Sequence, residues 1–308
     1  MGLTPRSVHD VCLLTENRYL HRKSDDAYIC NIFQEDDLLQ EALAKNGITS
    51  IRASWEDEHF DWSSVRLIVF RTPWNYFERF PSFLEWLNKA ASKTSFLNQK
   101  ALIEWNLDKS YLWELAAKGV SVPNGFYFLK SCPADLEQFC LLTTWREWVI
   151  KPAVSGTARH TYRLNPANLN DLRPVFNDLL KDESMMLQAF QESVLSRGEV
   201  SLVMLGGKFS HAVLKMAKPG DFRVQDDFGG SLHDYEPAPE EISLAEYVLA
   251  LCPEIPVYAR VDLIRAEDGR PLLTELELIE PELWFRRNPS SAGILAGLIA
   301  VELKKTAT

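Results

Sequence analysis

Two alternating segments near the end of the chain, joined by a turn, constrain its fold more than any other feature. Residues 260–264 (Arg-Val-Asp-Leu-Ile) and residues 274–281 (Thr-Glu-Leu-Glu-Leu-Ile-Glu-Pro) alternate polar and apolar side chains. This period of two is typical of β-strands that bury one face. Asp268-Gly269 lies between them and is a strong hairpin signal. The sequence therefore predicts an antiparallel hairpin with one polar, half-buried face.

The polar face of this hairpin carries four charged groups. Arg260 and Asp262 point to one face, and so do Glu275 and Glu277, because side chains alternate along a strand. Three carboxylates on one half-buried face repel one another unless a cation neutralises them. Mg²⁺ prefers such oxygen ligands. The whole pattern favours a metal site over the alternative, the exposed polar face of an ordinary sheet.

Composition restricts the class of protein. The 308 residues are enough for two domains or one large subdivided domain, and 46% hydrophobic with 25% charged residues is typical of globular proteins. A formal net charge of −10 argues against general affinity for nucleic acid or anionic membranes, although a local basic cleft for phosphates is compatible with it. Five scattered cysteines without a C-x-x-C pair suit a reducing compartment and predict neither zinc nor a disulfide framework. With neither a signal pattern nor a long apolar run, the sequence predicts a soluble cytoplasmic protein.

The first hundred residues have the rhythm of an α/β domain. Strands are predicted at residues 11–14, 48–53 and 65–70, with an amphipathic helix over residues 36–45. Except for Arg66, the run at 65–70 is apolar, which is typical of a buried parallel strand. This βαβ-like order predicts a first domain of roughly 95 residues.

A polar and aromatic loop follows the best strand of this domain. Ligands of open α/β sheets gather at the carboxyl ends of strands, so Arg71, Asn75 and Tyr76 are candidates for substrate contact. The alternative is a packed aromatic loop without a ligand.

Lys151 ends another predicted strand and precedes a loop of small residues. Its ammonium group and the backbone N–H groups of such a loop suit a phosphate. Further elements are predicted as strands at 148–151, 185–190, 198–205 and 209–214, a helix that ends near 118, and a helix at 292–305. Gly206-Gly207 predicts a tight turn between the last two of these strands.

These motifs resemble those of the ATP-grasp superfamily. The order Arg-x-Asp and then Glu-x-Glu is similar to that of D-alanine–D-alanine ligases, and Thr-Glu-Leu-Glu resembles the Thr-Glu-Ile-Asn of bacterial glutathione synthetases. The resemblance implies metal ligands at Asp262, Glu275 and Glu277, with Arg260 as a catalytic, charge-stabilising residue. Glu277 replaces the usual Asn, and it is still an oxygen ligand.

The resemblance also implies a nucleotide site. Lys109 and Lys151 match the two phosphate lysines of the family, residues 188–191 match its adenine hinge, and Glu199 matches an acidic position near the ribose or phosphates. The implied ATP-binding residues are Lys109, Lys151, Ser155, Gly156, Gln188, Ala189, Phe190, Gln191 and Glu199. The loop after Lys151 lacks the Gly-Gly of many relatives, a difference for which Arg159 or His160 could compensate.

Residues 215–230 resemble a glutathione-synthetase pattern that covers the substrate. By this resemblance Arg223 is a second catalytic residue that contacts the acceptor carboxylate or the transferred phosphoryl group. Gly229-Gly230 would allow a mobile loop. The residues implied to contact substrate are Arg71, Asn75, Tyr76, Arg223 and Glu280.

The nearest resemblance is to small glutathione-synthetase-like ligases, a subgroup that includes the D-cycloserine-forming enzyme. It implies an α/β (α+β) ATP-grasp fold: an N-terminal α/β pre-grasp domain (1–97) followed by two α+β subdomains that clasp ATP (98–187 and 188–308). The implied cofactors are ATP and Mg²⁺, with two ions expected and Mn²⁺ able to replace them.

The implied activity is ATP-dependent ligation of a carboxylate to an amine or similar nucleophile through an acylphosphate. The expected substrate is small and amino-acid-like, and ring closure as in D-cycloserine formation is one option. The alternatives are a peptide or protein amino-acid ligase, a nucleotide-binding pseudoenzyme, and a metal-dependent hydrolase. No nucleic-acid or membrane partner is expected, and a homo-oligomer is compatible with the sequence.

Overall fold

The computed structural model describes residues 8–22, 26–224 and 229–305, which form three β-sheets and the helices packed on them. Within these ranges, no helix combines the length and the apolar character that a membrane span requires. The cytoplasmic location expected from composition stays a prediction.

The first sheet is parallel. Its elements are β1 (His9–Thr15), α1 (Ala27–Lys45), β2 (Ser50–Ser54), β3 (Val65–Thr72), α2 (Phe80–Ala91) and β4 (Ser95–Leu97). The strand order is β2-β1-β3-β4. The predicted α/β arrangement is confirmed, but α1 begins at Ala27 rather than Asp36. Asp26 caps it by accepting from the backbone N–H groups of Tyr28 and Ile29.

The second sheet is antiparallel and follows two short helices. Its elements are α3 (Lys100–Asn106), α4 (Tyr111–Ala117), β5 (Gly125–Phe128), α5 (Leu136–Leu141), β6 (Trp148–Pro152), β7 (Tyr162–Leu164), α6 (Leu169–Asp182) and β8 (Met185–Ala189). The strand order is β5-β8-β6-β7. Because β8 continues through Ala189, the domain boundary predicted after residue 187 falls inside a strand of this sheet. The division into three domains stays a prediction.

The third sheet contains the hairpin from which the sequence analysis began. Its elements are α7 (Ser193–Arg197), β9 (Glu199–Leu205), β10 (Lys208–Met216), β11 (Ser231–Tyr235), α8 (Pro239–Ala250), β12 (Tyr258–Arg265), β13 (Pro271–Glu277) and α9 (Pro289–Lys305). The strands are antiparallel in the order β11-β10-β9-β12-β13. Both predicted hairpins are confirmed, with Gly206, Gly207 and Gly269 at positive φ in their turns.

Side chains from α3 and α4 cover the free edge of β13. The Tyr111 hydroxyl accepts from the Leu276 N–H at 2.9 Å and donates to its carbonyl at 3.0 Å. The Asn106 side chain bonds the backbone of Leu276 and Leu278 at 2.8 and 2.9 Å. An edge strand otherwise exposes unpaired backbone groups. These bonds therefore fix the hairpin against the loop between α3 and α4, which contains Lys109.

Candidate active site

The three predicted metal ligands lie together on adjacent strands. Asp262 is paired with Glu275 in the β12–β13 register, and Arg260 is paired with Glu277. Oxygen atoms of Asp262, Glu275 and Glu277 all lie within 4.8 Å of one another. Three carboxylates at this spacing fit a hard divalent cation such as Mg²⁺.

Arg260 joins two of these carboxylates. Its Nε and Nη2 atoms donate to the two oxygens of Asp262 at 2.9 and 2.8 Å, and Nη2 also bonds Glu277. Asp262 is only 1% exposed, so a paired guanidinium is needed to keep it charged. The guanidinium carbon lies 5.3 Å from the centre of the Trp284 ring, a contact that sequence analysis missed.

Lys215 is a second cation in this cluster, and the sequence analysis gave it no role. Its Nζ lies 3.1 Å from Asp262 Oδ2 and 2.5 Å from Glu199 Oε1. Lys215 is paired with Glu199 in the β9–β10 register, so both side chains lie on the face that Asp262 shares. Counting outward from the Gly206-Gly207 turn would have paired Glu199 with Leu214, and the register shift between Phe209 and His211 brings Lys215 opposite Glu199 instead.

Lys109 and Lys151 approach the carboxylates from the second sheet and the loop before it. Lys109 Nζ lies 3.2 Å from Glu275 Oε1 and donates to the carbonyl of Ser155. Burial lowers the pKa of Lys151; Glu275 opposes this effect and Lys109 adds to it. Both lysines line the cavity together with Glu275, and their ammonium groups could bind phosphate oxygens there.

The surroundings shift the pKa of the carboxylates in opposite directions. Burial opposes ionisation of Asp262, but Arg260 and Lys215 outweigh it and hold its pKa well below the usual range. Burial raises the pKa of Glu277 to about 8, and the neighbouring Glu275 adds to the shift. A cation bound among these groups would relieve the penalty on Glu277.

The predicted hinge lines the cavity beside this cluster. Gln188, Ala189, Phe190 and Gln191 all contribute to its wall. The Nε2 atom of Gln188 is buried and has no hydrogen-bond partner among the described residues. An unpaired buried donor is costly, so a ligand acceptor such as an adenine nitrogen fits here.

Phe190 provides an apolar wall next to this donor. The Arg163 guanidinium lies 4.2 Å from its ring centre, and the Phe222 ring meets it edge-on at 5.8 Å. The backbone N–H groups of Ala189 and Phe190 already donate to the carbonyls of Asn124 and Glu147. The Gln188 side chain is therefore an unpaired donor that this stretch offers to a planar base.

The small-residue loop after Lys151 turns sharply at the cavity. Ser155 and Gly156 line it together with Thr157 and Ala158. Thr157 and Ala158 have φ of 48° and 52°, left-handed values that residues other than glycine rarely adopt. A Cβ on Gly156 would lie 2.7 Å from the Phe77 ring, so this position requires glycine.

Arg159 and His160, which could compensate for the missing Gly-Gly, are bonded to residues outside the cavity lining. Arg159 forms two 2.8 Å bonds with Glu183, and His160 Nδ1 lies 3.2 Å from the Tyr162 hydroxyl. Neither residue lines the cavity among the described residues. Their partners, Glu183 and Tyr162, do not line the cavity either.

Arg71 and Asn75 also lie outside the cavity lining. Strand β3 continues through Thr72, so Arg71 is an interior strand residue, 2% exposed, with Nε 3.3 Å from Asp36 Oδ1. Asn75 accepts from the Trp55 indole N–H at 2.8 Å. These two residues support the loop, and neither of them is placed to contact a substrate in the cavity.

Other residues of the same loop do reach the cavity. Trp74 and Phe77 line it, and Glu280 faces it from beyond β13. Tyr76 is buried behind them and hydrogen-bonds Glu280. Burial raises the pKa of Glu280 to about 7. The predicted substrate pair of Tyr76 and Glu280 is therefore brought together, with only Glu280 in the wall.

Arg223 lines the cavity at its other side. Its guanidinium forms bonds of 3.0 and 2.7 Å with Asp221. The next part of the predicted covering loop, residues 225–228, lies outside the described residues.

Comparison with known proteins identifies the family. Residues 11–98 match the model of the D-cycloserine synthetase DcsG N-terminal domain. The cycloserine biosynthesis protein DcsG of Streptomyces lavendulae is 33% identical, over 86% of this chain and 93% of that protein. The chain belongs to the D-cycloserine synthetase family. The resemblance read from its motifs is confirmed.

Solved structures agree with this assignment. The crystal structure of D-cycloserine synthetase DcsG superposes with a TM-score of 0.83 at 30% identity, covering 95% of this chain and 99% of that one. The ATP-grasp ligase PsnB, solved with a phosphomimetic precursor variant, Mg and ADP, gives a TM-score of 0.62 at 14% identity, covering 97% and 100%. The fold of this D-cycloserine synthetase family member is therefore the ATP-grasp fold, and the chain is an ATP-grasp ligase.

Proposed function

We propose that this ligase uses ATP and Mg²⁺ to activate the carboxylate of a small amino-acid-like substrate for attack by an amine-type nucleophile. The observation that supports this most strongly is the carboxylate cluster of Asp262, Glu275 and Glu277 with Lys109 beside it. A metal-dependent hydrolase would need the carboxylates but leaves the lysines without a role. A pseudoenzyme would not need the buried Arg260–Asp262 pair.

Each group of residues has a distinct task in this proposal. Asp262, Glu275 and Glu277 would hold Mg²⁺, with two ions expected, and the metal would neutralise charge on the phosphates. Lys109 and Lys151 would bind phosphate oxygens, and Gln188 with Phe190 would bind the adenine. Because phosphoryl transfer needs little covalent help from the protein, alignment and charge stabilisation are the main requirements.

The proposed reaction has two steps. A carboxylate oxygen of the substrate attacks the γ-phosphorus and ADP leaves, which gives an acylphosphate. The nucleophile then attacks the acyl carbon, loses a proton and expels phosphate. Arg260 would stabilise charge in both steps, and Arg223 would orient the carboxylate. The closed cavity must also exclude water, because an acylphosphate hydrolyses.

The family relationship favours ring closure as the second step, because the relatives are named for forming D-cycloserine. The nucleophile would then belong to the same molecule as the carboxylate. A screen of D- and L-amino acids and their O-substituted derivatives for stimulated ADP release tests this. Release should need a single substrate. Release that needed a second amine would show intermolecular ligation, and release stimulated by none would contradict the proposal.

Nucleotide binding should depend on Mg²⁺. A non-hydrolysable ATP analogue with Mg²⁺ is expected to raise the Tm well above the value with either alone, because a ligand that binds only the folded state stabilises it. The metal ligands and phosphate lysines are adjacent, so each component completes the site of the other. A thermal-shift titration measures this. No shift at millimolar analogue and Mg²⁺ would count against the nucleotide site.

The two arginines should affect different kinetic constants. Arg260→Ala should lower kcat with little change in the KM for ATP, because Arg260 lies among the metal carboxylates. Arg223→Ala should mainly raise the KM of the carboxylate substrate. The rise should correspond to a loss of about 2 kcal/mol or more in binding free energy, because the substrate carboxylate loses its charged partner. Steady-state kinetics measure both, with the exposed Arg270→Ala as control. If Arg223→Ala changed only ATP affinity, residues near Arg223 would serve the nucleotide instead.

A further inference from the structure

Two carboxyl groups of the cavity wall are not fully matched by cations of the protein or of the proposed ligands. They belong to Glu280 and Glu282. Glu282 pairs with Arg286, but the same guanidinium also pairs with the buried Glu35. Glu280 bonds the neutral hydroxyl of Tyr76 and, in the part of the chain that the structure describes, forms no ion pair.

The remaining carboxylates of the cavity are matched by cations. Asp262 and Glu277 share Arg260, Glu199 pairs with Lys215, and Glu275 pairs with Lys109. In the proposed complex Mg²⁺ and the lysines offset the phosphates. The carboxyl groups of Glu280 and Glu282 are therefore left for the other substrate, because burying a carboxylate without a cationic partner is costly.

Aromatic rings line the cavity next to Glu280. The Trp74 indole N–H donates to the Glu280 carbonyl at 3.0 Å, which fixes this ring beside Glu280. The Tyr28 ring lies 6.4 Å from that of Trp74, and both rings line the cavity. Faces of tryptophan and tyrosine attract cations and displace water from around them.

A free donor in the same wall suits the other end of a zwitterion. Trp284 lines the cavity and is 2% exposed, and its Nε1 has no hydrogen-bond partner among the described residues. An indole N–H can only donate, so its natural partner is an acceptor such as a carboxylate oxygen. The wall thus offers partners for both charges of an amino acid.

We propose that Glu280, with Glu282 and the Trp74 ring, binds the ammonium group of a zwitterionic amino-acid substrate. The substrate carboxylate then points toward Arg260 and the phosphates. This inference rests on the proposed function and specifies its substrate class, since a carboxylate that carries no cationic amine would leave Glu280 unpaired.

The test compares pairs of ligands that differ only in the amine. The pairs are D-alanine with D-lactate, D-serine with D-glycerate, and D-cycloserine with its desamino ring. Each is titrated into the full chain saturated with a non-hydrolysable ATP analogue and Mg²⁺, and affinity is read by calorimetry. At least one amino member should bind on the order of 10-fold or more tightly than its partner, as loss of a charged hydrogen bond implies.

Glu280→Gln should remove this preference. The amide keeps the bond with Tyr76 but not the charge, so the amino member should weaken on the order of 10- to 100-fold while its partner changes little. Glu280→Asp should restore part of the preference, Glu282→Gln should lower it, and the exposed Glu85→Gln should not change it.

Two results would overturn the inference. One is that the wild-type protein shows no preference for the amino member in any pair, which includes the case in which none of the ligands binds. The other is an undiminished preference in Glu280→Gln. Stabilisation by the ATP analogue and Mg²⁺ is recorded in the same samples. If that persists while the preference is absent, the ammonium site is wrong and the nucleotide site stands.

Discussion

Replacing Glu275 with Gln, or Asp262 with Asn, should lower kcat on the order of 10³-fold while the fold persists. Each change keeps the shape of the side chain but removes a charge from the cluster whose oxygens lie within 4.8 Å. Removing one group that stabilises developing charge in a preorganised site costs about 10²- to 10³-fold, and weaker metal binding adds to this. The measurement is ADP release as a function of Mg²⁺ concentration, with circular dichroism as the check on folding.

Glu267→Gln is the matched control, because Glu267 is exposed in the turn of the same hairpin. It should turn over at the wild-type rate. Near-normal activity of both cluster variants at limiting Mg²⁺ would refute the role of Glu275 and Asp262 as metal ligands.

Lys215→Met should have the largest effect on stability. The ammonium group is buried between Asp262 and Glu199, and its removal leaves a buried carboxylate without its cation. Breaking a buried ion pair from one side costs about 3–5 kcal/mol in the free energy of unfolding. Urea denaturation of the protein without Mg²⁺ measures the change.

Lys208→Met provides the comparison on the same strand. The Lys208 side chain is 78% exposed and forms an ion pair with Glu246 at 3.3 Å, so its loss should cost well under about 1 kcal/mol. Equal effects of the two substitutions would mean that Lys215 does not hold the cluster together.

The hairpin could be predicted because its information is local. The period of two placed Arg260 with Asp262 and Glu275 with Glu277, and the Asp268-Gly269 turn joined the two strands. The register shift between Asp262 and Leu263, which brings Asp262 opposite Glu275, could not be read from the turn. The strand β3 was equally clear, since a mostly apolar run needs no knowledge of its neighbours. Lys109 was found only through the resemblance to a family, whereas Lys151 was singled out by its position at a strand end and then supported by that resemblance.

Other features depend on contacts between distant segments. The first turns of α1 were missed, and within that helix the buried Glu35 and Asp36 interrupt its apolar face. Glu35 bonds the backbone of Phe285 and Arg286, 250 and 251 residues away. Arg71 looked like a substrate residue because its partner, Asp36, could not be read from the sequence.

Transfer of oxygen from the substrate carboxylate to phosphate tests the central claim most directly. The amino acid that best stimulates ADP release is labelled with ¹⁸O in its carboxylate, turned over with ATP and Mg²⁺, and the phosphate is analysed by mass spectrometry. Attack of the carboxylate on the γ-phosphorus places one carboxylate oxygen in the phosphate that leaves, so each phosphate should contain one ¹⁸O. Phosphate without label, released together with ADP, would show that water and not the substrate carboxylate accepts the phosphoryl group, and it would contradict the proposed ligase mechanism.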